Sequence, residues 1–320
     1  MCYSAQIQAD YRRYARMFGA HLSLPEFVEL YWHRREGARI KIPKAMDAAF
    51  ADPQTPEERQ VNAFIEEFDA TEATRLEQEL FKQRKRLADA ERALQVRATK
   101  KDAESRRIAT DKVAWALGKL AALRRRELTE EDARIFPGHY APVMVVEDGR
   151  RVVKPMRYQC RPPGRPAYYD GKFPGTYNAR RDNLEGSFWR ELFGRTHGVL
   201  VVSAFYENVP RHRAEGREMR DGEKPENLVL EFRPRPTQDM LVACLWSRWT
   251  APGEPELLSF AAITDEPPAE VAAAGHDRCI IALRPENIDA WLNPDPADLA
   301  AQYAILDDRE RPYYEHRLAA

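Results

Sequence analysis

The feature that most limits the possible folds of this chain is a long segment, residues 71–132, with no proline and a single glycine, Gly118. Alanine, arginine, lysine, glutamate and leucine dominate the segment, and all five are strong helix formers. Apolar residues recur along it at spacings of three and four. They include Leu76, Leu80, Leu87, Ala90 and Leu94. The pattern predicts long helices, which we expect to form an antiparallel pair bent near residues 96–105.

The chain before this segment is more broken. Residues 2–18 alternate loosely, and we expect a short strand or buried arm followed by a helix start. Residues 24–70 contain short helical patterns interrupted by prolines. Within them, the sequence TPEERQVNAFIEEF has a proline in the first turn followed by acidic residues, which indicates a helix start.

The second half of the chain has the character of a β structure. From Phe136 onward, apolar runs separated by Pro, Gly, Asp and Asn read APVMVV, VLVVSAFY, NLVLEF, LVACLW, LLSFAAIT and RCIIAL. Short helices are predicted at GSFWRELFG, PPAEVAAA and PENIDAWL. Most connections are too short for regular βαβ crossovers, so the pattern predicts an α+β fold with a barrel-like mixed sheet and peripheral helices.

Composition excludes several classes of protein. The 320 residues suggest one large or two medium domains, and 43% are hydrophobic, enough for a substantial core. There is no apolar run of about 18 residues, and the first residues lack the apolar region of a signal peptide. The four cysteines form no C-x-x-C pair, so neither a zinc site nor a disulfide framework is indicated. We expect a cytoplasmic protein with reduced cysteines.

Local charge leaves a nucleic-acid partner open. The net charge is −1, but basic residues cluster at 82–86 and 124–126 in the predicted helices. Such runs are more often solvated helix faces than binding surfaces. A contact with nucleic acid or with a protein partner is the alternative.

Cys2 offers chemistry that no internal residue has. Removal of Met1 would leave Cys2 with an α-amine and a thiol on adjacent carbons. Their ordinary pKa values are about 7.7–8.0 and about 8.5, so both groups are partly nucleophilic near neutral pH. An aldehyde could form an imine with the amine, and the thiol could then close a thiazolidine ring. On position alone, a cysteine here is more often without a role.

Three other stretches place polar residues among apolar ones. Glu207 follows the apolar run VLVVSAFY, so desolvation is expected to raise the pKa of its carboxyl, as suits a general acid or base. His276 precedes another apolar strand and could shuttle protons. Asn178 lies in TYNARRDN. Taken singly, the three are as readily a solvent-exposed glutamate, a loop histidine and a turn asparagine.

Together these stretches resemble the SOS response-associated peptidase (SRAP) family, whose members shield abasic sites in single-stranded DNA. Five segments occur in the family's order. They are Met1-Cys2, Asn178-Ala179-Arg180, Phe205-Tyr206-Glu207, Leu245-Trp246, and Ile263-Thr264 through His276-Asp277-Arg278. The resemblance covers residues 2–16 and about 133–310. It predicts a single domain with a core at 2–18 and 133–310 and a helical insertion at 20–132.

The chain departs from the family pattern at several positions. Tyr3-Ser4 stands where the family has Gly-Arg, which removes a basic side chain, and Tyr158 stands where tryptophan is common. Ala204 and Asn208 replace a glycine and a tryptophan on either side of Phe-Tyr-Glu. The chain therefore resembles a divergent branch of the family.

The resemblance implies a mechanism and its residues. Cys2 would form the covalent link to the abasic sugar, and Glu207 would transfer protons during ring opening and imine formation. His276 would stabilise the sugar hydroxyl or a phosphate and assist reversal, while Asn178 would orient the amine or the open sugar. The same imine chemistry permits β-elimination, so weak lyase activity is expected. No metal or organic cofactor is implied.

The resemblance also implies DNA contacts, and single-stranded DNA with abasic sites is the expected partner. Guanidinium groups suit phosphates because they donate two parallel hydrogen bonds. Aromatic rings can stack on bases, and of the two candidates Tyr158 and Trp246 the second is more consistent with the core. The predicted DNA-binding residues are Tyr158, Arg180, Arg181, Asp277 and Arg278. The helical insertion could bind a protein partner.

Two other functions remain open at this point. In a cysteine peptidase, Cys2 would attack a peptide carbonyl with His276 as base and Asn178 as orienting residue. Self-cleavage that exposes Cys2 is its mildest form. In a non-catalytic interaction protein, Cys2 would be idle and the helical insertion would bind the partner.

Overall fold

The structure is a computed structural model that describes residues 3–319. Across this range the chain forms ten α-helices and thirteen strands. The helices are α1 (Tyr11–Phe18), α2 (Leu24–Arg35), α3 (Lys44–Ala48), α4 (Pro56–Val96), α5 (Lys100–Arg124), α6 (Tyr169–Lys172), α7 (Arg211–Ala214), α8 (Ala269–Ala273), α9 (Ile288–Leu292) and α10 (Leu299–Asp307). The strands are β1 (Ser4–Ile7), β2 (His21–Leu22), β3 (Arg134–Ile135), β4 (Tyr140–Glu147), β5 (Arg150–Tyr158), β6 (Asn178–Arg180), β7 (His197–Pro210), β8 (Asn227–Arg235), β9 (Met240–Trp249), β10 (Leu257–Asp265), β11 (Cys279–Ile280), β12 (Ala282–Leu283) and β13 (Tyr313–Leu318).

The strands form one mixed sheet that closes on itself. Strands β4, β5, β10, β9 and β7 pair in that order, and β7 also pairs with β4, which closes the ring. The β5–β10 pair is parallel, and the other four pairs are antiparallel. The predicted α+β fold with a barrel-like mixed sheet is therefore confirmed.

Strand β7 links the closed ring to an outer part of the sheet. Its first half pairs with β9 and β4, and its second half pairs with β1 and β8. Because both faces of the strand are covered, its residues form a nearly continuous apolar run rather than an alternating one. This continuity explains why the run VLVVSAFY could be recognised in the sequence.

The chain divides into two compact units. The first comprises the chain up to Leu30, Arg39–Asp52 and the chain from Thr129 onward, and it contains all thirteen strands. The second comprises Tyr31–Ala38 and Pro53–Leu128. We retain as a proposal that the helical segment is an insertion into a single domain.

The second unit is dominated by the antiparallel helices α4 and α5. Thr55 caps α4 by accepting a hydrogen bond from the backbone amide of Glu58, and Pro56 occupies the first turn. The helices pack through an apolar cluster of Leu76, Leu80, Ala116 and Leu120. The predicted long helices are confirmed, but the first begins at Pro56 rather than near residue 71, because the capped Pro-Glu-Glu start continues directly into the proline-free segment.

One predicted short helix is wrong. GSFWRELFG forms a series of turns, whereas the helices predicted at PPAEVAAA and PENIDAWL are present as α8 and α9. Gly194 has a φ of +76°, a left-handed conformation, and its backbone amide donates to His197 Nε2 at 2.8 Å. Trp189 and Phe193 are also buried. Tertiary packing therefore overrides the local helical pattern.

His197 is a buried core residue whose protonation the fold opposes. Its Nδ1 lies 3.0 Å from the Trp291 carbonyl oxygen, and its ring stacks on the Trp291 ring at 3.9 Å. Because Nε2 accepts from Gly194, Nδ1 is assigned the proton and the ring is neutral. Burial lowers the pKa of His197 to about 3.

We expect this histidine to weaken the fold in acid. The unfolded chain binds a proton at His197 below its ordinary pKa of about 6.5, but the folded chain does so only near pH 3. The contribution of neutral His197 to the free energy of unfolding is therefore fully present above pH 6.5 and is lost as the pH falls through about 3. Urea unfolding at pH 6.5 and pH 5 should show the protein losing about 2 kcal/mol more than a His197→Asn variant. Equal losses in the two proteins would contradict the assignment.

Candidate active site

Glu207 lies fully buried in the second half of β7, where β1 and β8 flank the strand. Burial raises the pKa of its carboxyl to about 8, and the negative charge of Asp277 acts in the same direction. A hydrogen bond from the Tyr3 backbone amide partly opposes this rise. The expected burial and raised pKa are confirmed. At neutral pH the carboxyl is mostly protonated and can donate a proton.

His276 contacts this carboxyl directly. Its Nε2 lies 3.2 Å from Glu207 Oε2, and its Nδ1 lies 2.9 Å from the Arg278 carbonyl oxygen. Burial lowers the pKa of His276, so the neutral ring is favoured. We assign the ring proton to Nδ1, which donates to Arg278, and Nε2 then accepts from protonated Glu207. The pair holds one transferable proton between two neutral groups.

Gly275 makes this contact possible. Its φ of +93° is a left-handed conformation, and a Cβ there would lie 2.8 Å from Arg213 Cβ and 2.9 Å from Val209 Cγ1. Any side chain at this position would push the turn that carries His276 away from β7. The absence of a side chain at Gly275 therefore allows His276 to approach Glu207 of β7.

Asn178 lies at the start of β6 and is also buried. The Tyr158 hydroxyl is 3.5 Å from its Oδ1. The ring of Tyr158 is 2% exposed and stacks on Phe260, with ring centroids 5.2 Å apart. The prediction that Tyr158 stacks on a DNA base is corrected, because the core already covers its ring. Trp246 is half-buried.

Strand β10 brings two of the sequence motifs to the same place. Its Thr264 pairs with Arg180 of β6 on one edge and with Ile280 of β11 on the other. The segment ahead of β11 carries His276 and Arg278. Arg278 Nη2 lies 3.9 Å from Asp182 Oδ2, just after β6. The Asn-Ala-Arg and His-Asp-Arg motifs therefore meet across the end of β10.

The two arginines that follow Asn178 differ in availability. Arg180 is exposed and forms a two-pronged ion pair with Asp182 at 3.0 and 2.5 Å. Such surface pairs contribute about 0–1 kcal/mol, so a phosphate can compete for the guanidinium. Arg181 instead lies 2.6 Å from Asp307 and 3.7 Å from Asp265. Two carboxylates from other segments thus hold Arg181, and its predicted DNA contact stays a prediction.

Asp277 is exposed beside the Glu207–His276 pair. Its negative charge raises the pKa of both groups, so it favours the protonated carboxyl. A carboxylate repels phosphate, and the observed influence of Asp277 on the site is electrostatic. Its predicted contact with DNA stays a prediction.

An exposed aromatic and basic segment, residues 165–173, leads into Asn178 and was missed from the sequence. Tyr168 is 63% exposed and Phe173 is 40% exposed. The rings of Tyr169 and Phe173 are 4.8 Å apart, and the Arg165 guanidinium lies 5.5 Å from the Tyr169 ring. Aromatic rings with interleaved cations suit single-stranded nucleic acid. The aromatic residues and the lysine of AYYDGKF are the sequence signal for this segment.

This aromatic and basic segment is anchored at its centre. Asp170 accepts a hydrogen bond at 2.8 Å from Arg157 and one at 3.1 Å from Arg161. These arginines lower the pKa of the Asp170 carboxyl against the effect of its burial. The acid of the segment is thus directed inward, and its exposed charges are basic.

The cysteines differ in their availability for chemistry. Cys160, Cys244 and Cys279 are buried and free. Burial raises the pKa of the Cys160 thiol to about 12 and raises the pKa of the other two as well. Since the thiolate is the nucleophile, these three are unreactive near neutral pH. Cys2, the predicted nucleophile, lies outside the described residues.

Within residues 3–319, none of the helices combines the length and the apolar character needed to cross a membrane.

Comparison with solved structures gives partial similarities at low identity. A protein from Bordetella bronchiseptica is 16% identical over 61% of this chain and 90% of its own, with a TM-score of 0.46. A protein from Bacteroides thetaiotaomicron is 16% identical over 59% of this chain and 78% of its own, also at 0.46. A phage-related protein from Bordetella bronchiseptica is 20% identical over 62% of this chain and 85% of its own, at 0.44.

The comparison with protein families gives a match over a larger part of the chain. No curated protein matches the chain. The family model described as SOS response associated peptidase (SRAP) matches residues 96–317, more than two thirds of the chain. The match includes Asn178, Glu207 and His276, and it begins after Cys2 and inside the segment predicted as an insertion. The chain therefore belongs to the SOS response associated peptidase family.

Proposed function

We propose that this protein recognises abasic sites in single-stranded DNA and binds them covalently through Cys2 after Met1 is removed. Membership of the family supports a DNA-damage role connected with abasic sites in general, and an interaction with DNA. The covalent chemistry, the single-stranded substrate and the residue roles are our proposal. The observation that carries it is the buried Glu207–His276 pair, at 3.2 Å, beside the N-terminal strand.

The proposed reaction joins an aldehyde to an aminothiol with loss of one water. The Cys2 amine attacks the C1′ aldehyde of the opened sugar and forms a carbinolamine. Protonated Glu207 gives its proton to the departing hydroxyl, which leaves as water, and the resulting carboxylate takes the nitrogen proton as the neutral imine forms. The Cys2 thiol then adds to the imine carbon and transfers its proton to the nitrogen, closing the thiazolidine. Before this, the same carboxyl can protonate the ring oxygen as the sugar opens, and its carboxylate takes the proton that the C1′ hydroxyl releases as the aldehyde forms.

The covalent continuity of the N-terminal strand supports this assignment. The Tyr3 backbone amide donates to the Tyr206 carbonyl at 3.2 Å, and it also influences the carboxyl of Glu207. Consecutive Cα atoms are about 3.8 Å apart across a trans peptide bond. Cys2 immediately precedes Tyr3 in the sequence, and the proposal requires its amine to act beside Glu207.

The surface around the pair supports a DNA substrate. Arg180 is exposed, and Arg278 has a guanidinium only weakly engaged, at 3.9 Å from Asp182. The aromatic and basic segment, residues 165–173, is separated from Asn178 by four residues. Guanidinium groups would bind the phosphates, and the exposed rings would stack on bases beside the abasic site.

The test uses the purified protein and an oligonucleotide with one abasic site. Intact mass spectrometry should give the mass without Met1, and a denaturing gel should show a covalent band only with the abasic strand. A protein that retains Met1, or that gives no band, would overturn the proposal. Cleavage of an unrelated peptide without a covalent band would favour the peptidase alternative.

Shortening the helical hairpin should leave this chemistry intact, because the proposed site residues lie outside it. Glu77 and Arg124 form an ion pair across the hairpin, so a short Gly-Ser turn can replace residues 78–123 between them. We expect the shortened protein to give the same crosslinking rate as the full chain. Thermal unfolding monitored by circular dichroism is the control for folding. A folded variant without activity would show that the hairpin contributes to the site.

A further inference from the structure

An open cleft of about 760 Å³ adjoins His276. One wall is the segment after β7 that contains α7, and the other is the segment from α8 to Arg278. Its charged lining residues are Arg213, Arg217, Glu218, Glu266, Asp277 and Arg278, and His276 reaches it from the active site. The cleft is large enough to hold more of a DNA strand than the reacting sugar.

The cations of the cleft are not equally available. Arg217 is held by Glu215 at 2.6 Å and by Glu223 at 2.7 Å. Arg213 is exposed, and within the part of the chain that the structure describes it forms no ion pair with a carboxylate. Arg278 contacts a carboxylate only at 3.9 Å. The guanidinium groups of Arg213 and Arg278 can therefore bind an anion here without first breaking a close ion pair.

The backbone places Arg213 beside the catalytic pair. Because Gly275 has no side chain, α7 packs directly on the turn before His276, and the Cβ of Arg213 would lie 2.8 Å from a Cβ at position 275. The same turn carries His276 and Arg278. An anion bound by Arg213 would thus lie next to His276, the residue expected to contact the sugar.

We propose that Arg213 and Arg278 bind a phosphate of the DNA backbone immediately beside the abasic nucleotide, in the cleft next to His276. The inference rests on the proposed function and adds the path of the strand away from the site. Three carboxylates, those of Glu218, Glu266 and Asp277, also line the cleft. Binding there consequently depends on direct guanidinium contacts with one phosphate rather than on a broadly positive surface.

The test is a binding cycle that needs no covalent chemistry. The strand carries a tetrahydrofuran analogue of the abasic site, which has no aldehyde, and a neutral methylphosphonate replaces one backbone phosphate at a time. We expect Arg213→Ala, which retains the Cβ that packs near Gly275, to weaken binding about tenfold and to lower the salt slope by about one. One methylphosphonate beside the analogue should weaken the unaltered protein by at least as much, and should weaken the variant less, because only the Arg278 contact remains to be lost.

Arg220→Ala is the matched control, since Arg220 is exposed on the same segment but does not line the cleft. It should bind nearly as the unaltered protein does. If Arg213→Ala binds like this control, or if every methylphosphonate weakens both proteins equally, the inference is wrong. Absence of crosslinking to a genuine abasic site would instead contradict the proposed function, and the binding cycle would still be interpretable.

Discussion

Replacing Cys2 by alanine is expected to abolish the covalent adduct with abasic single-stranded DNA while leaving non-covalent binding nearly unchanged. The amine that remains can form only a reversible imine, because alanine has no thiol to close the ring. Most affinity for single strands comes from phosphate contacts, which the substitution does not touch. The measurement compares the denaturing-gel band with fluorescence anisotropy on the tetrahydrofuran analogue.

Cys2→Ser is the informative companion variant. Its hydroxyl is a poorer nucleophile, so its adduct should be weak and should need borohydride reduction to be seen. The buried Cys160, Cys244 and Cys279 serve as internal controls, since their thiols should not replace that of Cys2. A stable, undiminished band from Cys2→Ala would sink the proposed chemistry.

Replacing Glu207 by glutamine is expected to slow crosslinking by about 10²- to 10⁴-fold, the usual contribution of a positioned proton-transfer group. Glutamine preserves the size of the side chain and can still hydrogen-bond to His276, but it cannot give up a proton. DNA affinity should change little, because the carboxyl is buried and makes no proposed phosphate contact. Single-turnover rates on saturating DNA separate the two effects.

The pH profile gives a second readout of Glu207. The reaction needs a neutral Cys2 amine, which appears as the pH rises through about 7.7–8.0. It also needs protonated Glu207, which is lost as the pH rises through its pKa of about 8. The rate should therefore follow a bell with its maximum near pH 8, and Glu207→Gln should lack the high-pH decline.

The same substitution should change how stability depends on pH. The folded pKa of Glu207 is raised from an ordinary value of 4.5 to about 8, so the folded protein retains a proton that the unfolded chain releases. The contribution of the Glu207 proton to the free energy of unfolding is fully present below pH 4.5 and is lost as the pH rises through about 8. Relative to the unaltered protein, Glu207→Gln should gain stability between pH 5 and pH 9, on the order of a few kcal/mol.

Glu231→Gln is the matched control for both experiments. Glu231 is also a buried glutamate, and it lies opposite Tyr206 on the neighbouring strand, where Arg317 pairs with it at 3.1 Å. Its substitution should lower stability without altering the shape of the rate profile. If both glutamine variants retain the bell, Glu207 is structural and the proton source lies elsewhere.

Much of the fold could be predicted because local patterns were strong. Residues 71–132 contain no proline and one glycine, and their three- and four-residue apolar spacing fits a helix with one apolar face. The apolar run before Glu207 predicted a strand and the desolvation of the carboxyl that follows it, and the structure contains both. The turns around Trp189 could not be predicted, since contacts with His197 and a left-handed Gly194 decided their shape.

The sequence by itself determined which residues are candidates for the chemistry. It placed Asn178, Glu207 and His276 at the edges of apolar segments, where polar groups are desolvated and their pKa values move. The family resemblance also named Arg180 as a phosphate contact, and the structure leaves this side chain exposed.

Only the tertiary structure decided which of these residues meet. Glu207 and His276 are 69 positions apart, and their 3.2 Å contact depends on strand pairing and on Gly275, neither of which a local pattern encodes. Arg181 resembles Arg180 in sequence, yet distant carboxylates hold it, and Tyr158 is covered by Phe260. Pairing between segments far apart in the chain is a property of the packed core, so it sets the site's geometry and its electrostatics.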